Sequence, residues 1–182
     1  MTALPSIINP GYVRTMAAYN AEMNRRLYEA AGRLDDDERS ADEGAFWSSI
    51  TGTLCHIVWA DQLWMGRFTG ILGPDVAMAD SAGICADFEV LAGLRAHMDR
   101  AICAWAGAVT EDWLAGTSTW MSMVLKREMT APRSLLVTHM FNHQTHHRGQ
   151  AHALITRAGE QTGDTDLPFV LAPDVLLAAM AG

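Results

Sequence analysis

A chain of 182 residues that is 49% hydrophobic carries enough apolar surface for one folded core and too much for a disordered segment. The formal net charge of −8, with only 13 Lys and Arg and no basic run, argues against a nucleic-acid or anionic-membrane surface, because both need clustered positive charge. The longest uncharged stretch, residues 44–60, contains Ser48, Ser49, Thr51, Gly52, Thr53 and His56, which makes it too polar and too short for a membrane span of about 20 residues.

Tyr12, Met16, Tyr19, Met23, Leu27, Ala30 and Leu34 recur at steps of three and four, predicting an amphipathic helix over roughly 9–34. The acidic run Asp35-Asp36-Asp37-Glu38 before Arg39 reads as a charged turn. A second helix is expected over about 42–68 on Phe46, Ile50, Leu54, Ile57, Val58, Trp64 and Phe68, closed by Gly70 and Gly73-Pro74. Asp87 is a candidate N-cap for a third, whose stripe is Phe88, Leu91, Leu94, Met98, Ile102, Trp105 and Val109. Residues 117–129 alternate polar and apolar side chains, as a short hairpin or an irregular excursion would. Pro132 suits the first turn of a fourth helix and Gly159 its C-terminal cap. A polar segment then leads to Leu167-Pro168-Phe169 and a short apolar tail over 175–180.

No internal repeat or composition shift marks a second domain. Residues 1–182 therefore read as one all-α domain, a four-helix bundle in which a ligand site would be built from inward side chains of different helices. The eleven methionines fall mostly in helical stripes and read as core filler. The N-terminus lacks the basic and apolar regions of a secretory signal. Cys55, Cys85 and Cys103 have no paired spacing, which fits a reducing cytoplasm better than a disulfide scaffold.

Five of the seven histidines, His139, His143, His146, His147 and His152, fall in the fourth helical segment. Helical residues four apart share a face, with Cβ atoms about 5–6 Å apart. His143 and His147 can thus converge on one ion at metal–nitrogen distances of about 2.0–2.1 Å. A catalytic zinc-type site generally has three protein ligands and one open position. His56, beside Leu54, Ile57 and Val58 in the second helix, is the candidate third: an imidazole in an apolar face needs a partner to offset its desolvation. A lone core histidine is more often satisfied by a hydrogen bond, but a two-histidine face on another helix shifts the balance toward a metal.

His139 complicates the pairing, because by spacing alone 139/143 serves as well as 143/147. The outer two lie about 12 Å apart along a helix and cannot both reach one ion; spacing leaves the choice open. His146 points about 100° away from His147. His97 and His152 carry no ligand spacing, and Cys55 diverges from His56 toward the core. A zinc-protease reading fails, since the H-E-x-x-H pattern needs a glutamate where this chain has Gln144.

The residues Tyr19-Asn20 and Asn24, then Phe46-Trp47-Ser48-Ser49-Ile50 leading to Leu54-Cys55-His56, then Trp64, carry a family resemblance. Its specific part is the run His139-Met140-Phe141-Asn142-His143-Gln144-Thr145-His146-His147-Arg148-Gly149-Gln150. Over roughly residues 10–160 the chain resembles the DinB-like family. That resemblance implies a four-helix bundle with up-down-down-up connectivity, often dimeric. It also implies one divalent metal ion per chain (zinc, nickel or iron) held by three histidines. Carried over position by position, it selects His56, His143 and His147 as metal ligands and makes His139 a neighbour. Related branches are thiol-dependent transferases or isomerases, some with a glutamate where this chain has His143. The resemblance therefore fixes a ligand set rather than a reaction.

Two functional expectations follow. The first is a metal-dependent thiol S-transferase or hydrolase acting with a low-molecular-weight thiol or another small molecule, its catalytic residues unassigned. In it Gln150 either supports the site or is a surface amide, and Arg148 either holds an anionic substrate or pairs with a bundle carboxylate. Gly149 is expected to permit close helix packing, and Asp61, one turn beyond His56, to face away. The second expectation is a non-catalytic metal-binding stress-response protein whose ion holds the bundle together. In both, the protein is a cytoplasmic homodimer without nucleic-acid or membrane partners.

Overall fold

Pro10 at the first helical position and Asn9, whose side chain accepts from the Tyr12 N–H, start helix α1 (Pro10–Ala31) in the computed structural model, which describes residues 6–122, 125–173 and 177. Gly32 ends the helix three residues earlier than the apolar stripe predicts. The buried face is rotated as well: it runs through Val13, Ala17, Asn20, Met23, Asn24 and Leu27, with Tyr12, Met16 and Tyr19 only half-buried. The acidic run is not a plain turn. It forms α2 (Asp36–Ser40), opened by a reciprocal capping box between Asp35 and Glu38. Arg39 on α2 is buried and donates to the Ala31 and Leu34 carbonyls, satisfying the open end of α1.

The second long helix, α3 (Ile50–Thr69), starts eight residues later than its apolar anchors predict. Ser48 adopts a left-handed φ of 64°, which interrupts any helix through it, and the Ser49 side chain caps the Gly52 N–H. Phe46, expected as an apolar anchor, is instead exposed. Gly70 closes α3 in the left-handed conformation, with φ 78°. A 3-10 helix (Met78–Gly83) lies in the connection to α4 (Phe88–Ala108), whose N-cap is Asp87 as the sequence predicts.

After the short α5 (Glu111–Leu114), the alternating segment is a hairpin: β1 (Thr117–Ser122) pairs antiparallel with β2 (Arg127–Pro132), Trp120 opposite Met129. The fold is thus mainly helical with a two-stranded sheet, not helical throughout. Pro132 stands at the N-cap position of α6 (Arg133–Arg157), just before the first turn expected of it and without a side-chain capping bond, and Gly159 just beyond the helix end has φ 97°. Tyr19 donates to the Thr165 carbonyl as the chain runs on to α7 (Leu167–Val170). Apart from the exposed Leu177 and residue 173, the chain beyond Ala172, including most of the expected apolar tail, lies outside the described residues. Among the described residues, no helix is long and apolar enough to cross a membrane.

The long helices α1 and α3 each pack against both α4 and α6. Two apolar clusters result. One holds the end of α1 (Leu27 to Ala31), the start of α3 (Ile50 to Val58), the start of α4 (Phe88, Leu91) and the end of α6 (Ala151 to Ile155). The other holds the start of α1, the ends of α3 and α4, and the start of α6 from Leu136 to Phe141. Between them, every long helix contributes buried polar side chains: Asn20 and Asn24 on α1, Asp61 on α3, Arg95 on α4, Gln144 and Arg148 on α6.

These groups bond across the interior. Gln144 donates to Asp61 Oδ1 at 2.8 Å and accepts from Asn20; Arg95 Nη1 donates to Asp61 Oδ2 at 2.6 Å; Asn24 donates to Asp99 Oδ1 at 2.8 Å. Removing one partner of such a pair strands the other charge, at about 3–5 kcal/mol. The exposed Arg25–Glu29 pair is worth roughly 1 kcal/mol or less. Asp61→Ala should therefore lower the unfolding free energy by about 3–5 kcal/mol in urea titration. Arg25→Ala, measured alongside, should stay within about 1 kcal/mol of the parent.

Candidate metal centre

His56 stands midway along α3, within its unbroken buried stretch from Gly52 to Asp61; His143 and His147 stand one turn apart on α6, which packs on α3. One ligand nitrogen from each of the three lies within 4.8 Å of the other two. His56 Nε2 and His143 Nε2 are 3.3 Å apart. That matches the edge of a tetrahedron of nitrogens about 2.05 Å from a central ion, roughly 3.3 Å. Spacing left the choice of helix-α6 pair open, and the structure places 143/147, not 139/143, against His56.

The opposite ring edges are tied down. His56 Nδ1 lies 2.8 Å from Ser81 Oγ in the 3-10 helix, and His147 Nδ1 lies 2.7 Å from Gln150 Oε1. An amide oxygen only accepts, so Nδ1 of His147 carries the proton and Nε2 keeps its lone pair. Trp47 stacks on His56, with ring centroids 3.9 Å apart and planes at 21°, and Trp59 flanks the same imidazole at 5.8 Å.

This crowded, partly apolar setting suppresses protonation. Burial, and secondarily the His147 charge, pull His56 down to about 4. Burial and the neighbouring imidazoles pull His143 down to about 3, and burial lowers His147 as well. All three are neutral at pH 7, the state in which imidazole binds a metal. Because these values lie below that of an unfolded histidine, the unfolded chain takes up the protons first. The metal-free protein should hold its stability above about pH 6.5 and lose it as pH falls toward about 4, in part through His56. Thermal melts from pH 7.5 to 4 check this, and His143→Gln should shallow the decline relative to the parent.

The remaining sequence candidates fall outside the trio. His139 packs on Trp64 at 5.0 Å, its ring 5.9 Å from that of His143, and its pKa is lowered by burial and by the charge of Arg67. His97 and His146 are exposed, and His152 Nδ1 lies 2.6 Å from Thr162 Oγ1. Cys55 is core, its thiol donating to the Cys85 carbonyl at 3.3 Å and pushed up to about 11 by burial. Asp61 faces away from the trio, as expected, and is buried in the interior polar network with Gln144 and Arg95.

One of the two alternatives for Arg148, and the expectation for Gly149, are overturned. Arg148 makes no salt bridge to a carboxylate among the described residues. It is buried, donates to Thr145 Oγ1 at 3.2 Å and lies 5.6 Å from the centre of the Tyr19 ring, with burial pulling it down to about 10. Gly149 packs against nothing: it is exposed, and a Cβ there would meet no atom within 4 Å. Glycine in an exposed helix interior costs about 1 kcal/mol relative to alanine. Gly149→Ala should thus raise the unfolding free energy by about 0.5–1 kcal/mol in urea titration, with metal content unchanged.

Sequence reasoning missed Ser81 as the group that tethers His56, and Trp47 as the wall over it. Ser81 sits in a stretch with no periodicity to read, and Trp47 is placed by an irregular turn.

A mainly helical protein presenting three neutral imidazoles to one point is a candidate metal-binding protein. The DinB family model matches residues 8–174, and the chain belongs to the DinB family. In fold it is similar to the crystal structure of a DinB-like protein from Bacillus cereus ATCC 10987, at 21% sequence identity and a TM-score of 0.60 over 81% of this chain and 91% of that one. Among curated proteins, none matches the chain.

Proposed function

We propose that His56, His143 and His147 hold one divalent metal ion per chain and that the site works as a metal-dependent thiol S-transferase or hydrolase. The observation that carries this reading is the convergence of three neutral imidazole nitrogens within 4.8 Å, with the far edges of His56 and His147 tied to Ser81 and Gln150. Among the described residues, no fourth His, Cys, Asp or Glu joins the group. A closed structural site usually has four protein ligands, whereas three leave a position for a water or substrate. A divalent ion so held supplies Lewis acidity, lowering the pKa of a coordinated water or thiol toward about 7.

The chain's own residues do the rest. Gln150 and Ser81 orient the ligand rings, and Trp47 and Trp59 exclude water from one side. Gln144 and Asp61 are committed to the helix-linking network, so proton transfer is left to the metal's own ligand and to solvent.

The up-down-down-up connectivity is part of the same proposal. It is supported by the two apolar clusters, one collecting the end of α1, the starts of α3 and α4 and the end of α6, the other collecting their opposite ends. We also propose a cytoplasmic homodimer with one ion per protomer, for which light scattering is the measurement.

Elemental analysis of the purified protein should find about one zinc, nickel or iron per chain. Substituting His56, His143 or His147 by alanine should abolish it, whereas His139→Ala should leave it intact. Gln150→Ala should weaken metal affinity roughly 10–100-fold. Full occupancy in the three alanine variants would remove the site from these residues. In a cobalt-substituted sample, a low-molecular-weight thiol should shift the d–d bands; unchanged bands with every thiol tried would remove the transferase reading and leave a hydrolase or a structural ion.

A further inference from the structure

Arg67, in the last turn of α3, is a half-buried cation without a carboxylate. Its guanidinium carbon lies 4.5 Å from the centre of the Trp64 ring and 5.5 Å from that of Trp120 on β1. Among the described residues it makes no ion pair and no hydrogen bond. Arg26, Arg39 and Arg95, at similar or greater depth, pair with carboxylates, and Arg133 and Arg148 donate to hydroxyl oxygens.

Contact with an aromatic face engages the positive charge of a guanidinium but none of its five N–H donors. Burial disfavours the charge and lowers the Arg67 pKa, and no protein anion among the described residues offsets that. Acidic residues outnumber basic ones 21 to 13 in this chain. A partly buried arginine left without any of them points to an anion from outside, since its planar fork suits an oxyanion.

Position says which molecule brings that anion. Arg67 follows His56 by eleven residues and so lies about 20° from it round α3, on the same face. Trp64, beside which the guanidinium sits, is about 12 Å further along the helix than His56. His139 on α6 fills the interval: it is exposed, with its ring 5.0 Å from Trp64 and 5.9 Å from His143. A strip of rings, open to solvent at His139, His143 and Trp120, thus runs from the histidine trio to Arg67.

We propose that the small molecule bound at the metal carries an oxyanion of the carboxylate type, roughly 12 Å from its metal-binding atom, and that Arg67 holds it. The body of the molecule lies along His139 and Trp64. This names the substrate class of the metal site and rests on that reading. Arg67 sets specificity and takes no part in the chemistry at the metal.

The test uses two thiols of one length, ω-mercaptooctanoate and ω-mercaptooctanol, which differ in whether the far end is charged. Both are titrated into cobalt-loaded full-length protein, with calorimetry reading affinity and the d–d bands reading contact with the metal. The carboxylate should bind about tenfold more tightly than the alcohol, the effect of one charge-assisted pair. Arg67→Gln should bring the carboxylate down to the affinity of the alcohol and leave the alcohol unchanged, whereas Arg67→Lys should keep part of the difference. Arg100→Gln, which removes the same charge from an exposed position on α4, should leave the difference intact. Far-UV circular dichroism checks that each variant is folded.

Equal affinity of the two thiols for the parent protein, the result for an arginine that is merely solvated, would overturn the proposal. So would a preference that survives Arg67→Gln or disappears in Arg100→Gln. The two readings fail separately. Shifted bands without a carboxylate preference remove Arg67 and keep the metal; an Arg67-dependent preference with unshifted bands keeps the oxyanion site and removes the thiol from the metal.

Discussion

The Gln144 side chain donates to Asp61 on α3 and accepts from Asn20 on α1, so one amide on α6 sets the rotation of three helices. An apolar contact tolerates sliding, because burial is roughly proportional to area and carries no direction. A buried amide between a carboxylate and a second amide tolerates little, because each lost bond strands a polar group at about 1–3 kcal/mol. The network is also close to charge-balanced. Asp61 and Asp99 face Arg95 and Arg148 in the same interior, so no net charge is left in low dielectric. Two apolar clusters separated by this polar layer explain how helices with weakly patterned faces find one register.

The metal centre inherits that register. His143 precedes Gln144 by one residue and lies about 100° round the helix from it. With Gln144 turned between α1 and α3, His143 and, one turn on, His147 are turned onto His56. The trio therefore depends on side chains that never touch it. In the metal-free state the trio also disfavours taking up a proton. Three imidazoles share a space that has room for little positive charge, and the neighbours depress His143 more than burial alone would. Neutrality leaves the lone pairs available, so the crowding that disfavours protons favours a metal cation able to coordinate all three. Ion binding and α3–α6 packing are thereby coupled, and whatever stabilises one stabilises the other.

Local signals in the sequence specify their elements, and signals spread through the interior do not. Asp87 as an N-cap, Gly70 and Gly159 at or beside helix ends, and the alternation that became β1 and β2 are each decided within a few residues, and each appears in the structure. The buried face of α1 is rotated from its apolar stripe because apolar periodicity counts only apolar residues. Asn20 and Asn24 are buried as deeply as Leu27, yet they contribute nothing to such a stripe. The sequence offers Arg148 either an anionic substrate or a bundle carboxylate, and the structure gives it no direct carboxylate partner among the described residues. Here its carboxylates are those of a shared network, felt through space. Of the candidate site, the 143/147 spacing and the imidazole within an apolar helix were legible. Ser81 was not, since a serine in an aperiodic connection shows nothing until the chain folds it against His56.

The turn before α3 shows why a wrong helix boundary also hid part of the site. Had the helix run unbroken from residue 42, Trp47 and His56, nine residues apart, would stand about 180° apart on its surface, since each residue turns about 100°. Trp47 would then have faced away from the metal. Instead Ser48 takes the left-handed conformation, its N–H bonds to the Ala45 carbonyl at 2.9 Å, and the chain doubles back. The indole is thereby laid flat over the imidazole it would otherwise have avoided. The Trp47 carbonyl is carried so close to the first turn of α3 that a Cβ at position 52 would collide with it. Glycine at 52 is thus required by the close approach rather than by φ, because position 52 is ordinary helix. A residue with poor helix propensity is kept inside a helix so that an aromatic wall can stand beside His56, and the cost of about 1 kcal/mol falls where the site is built.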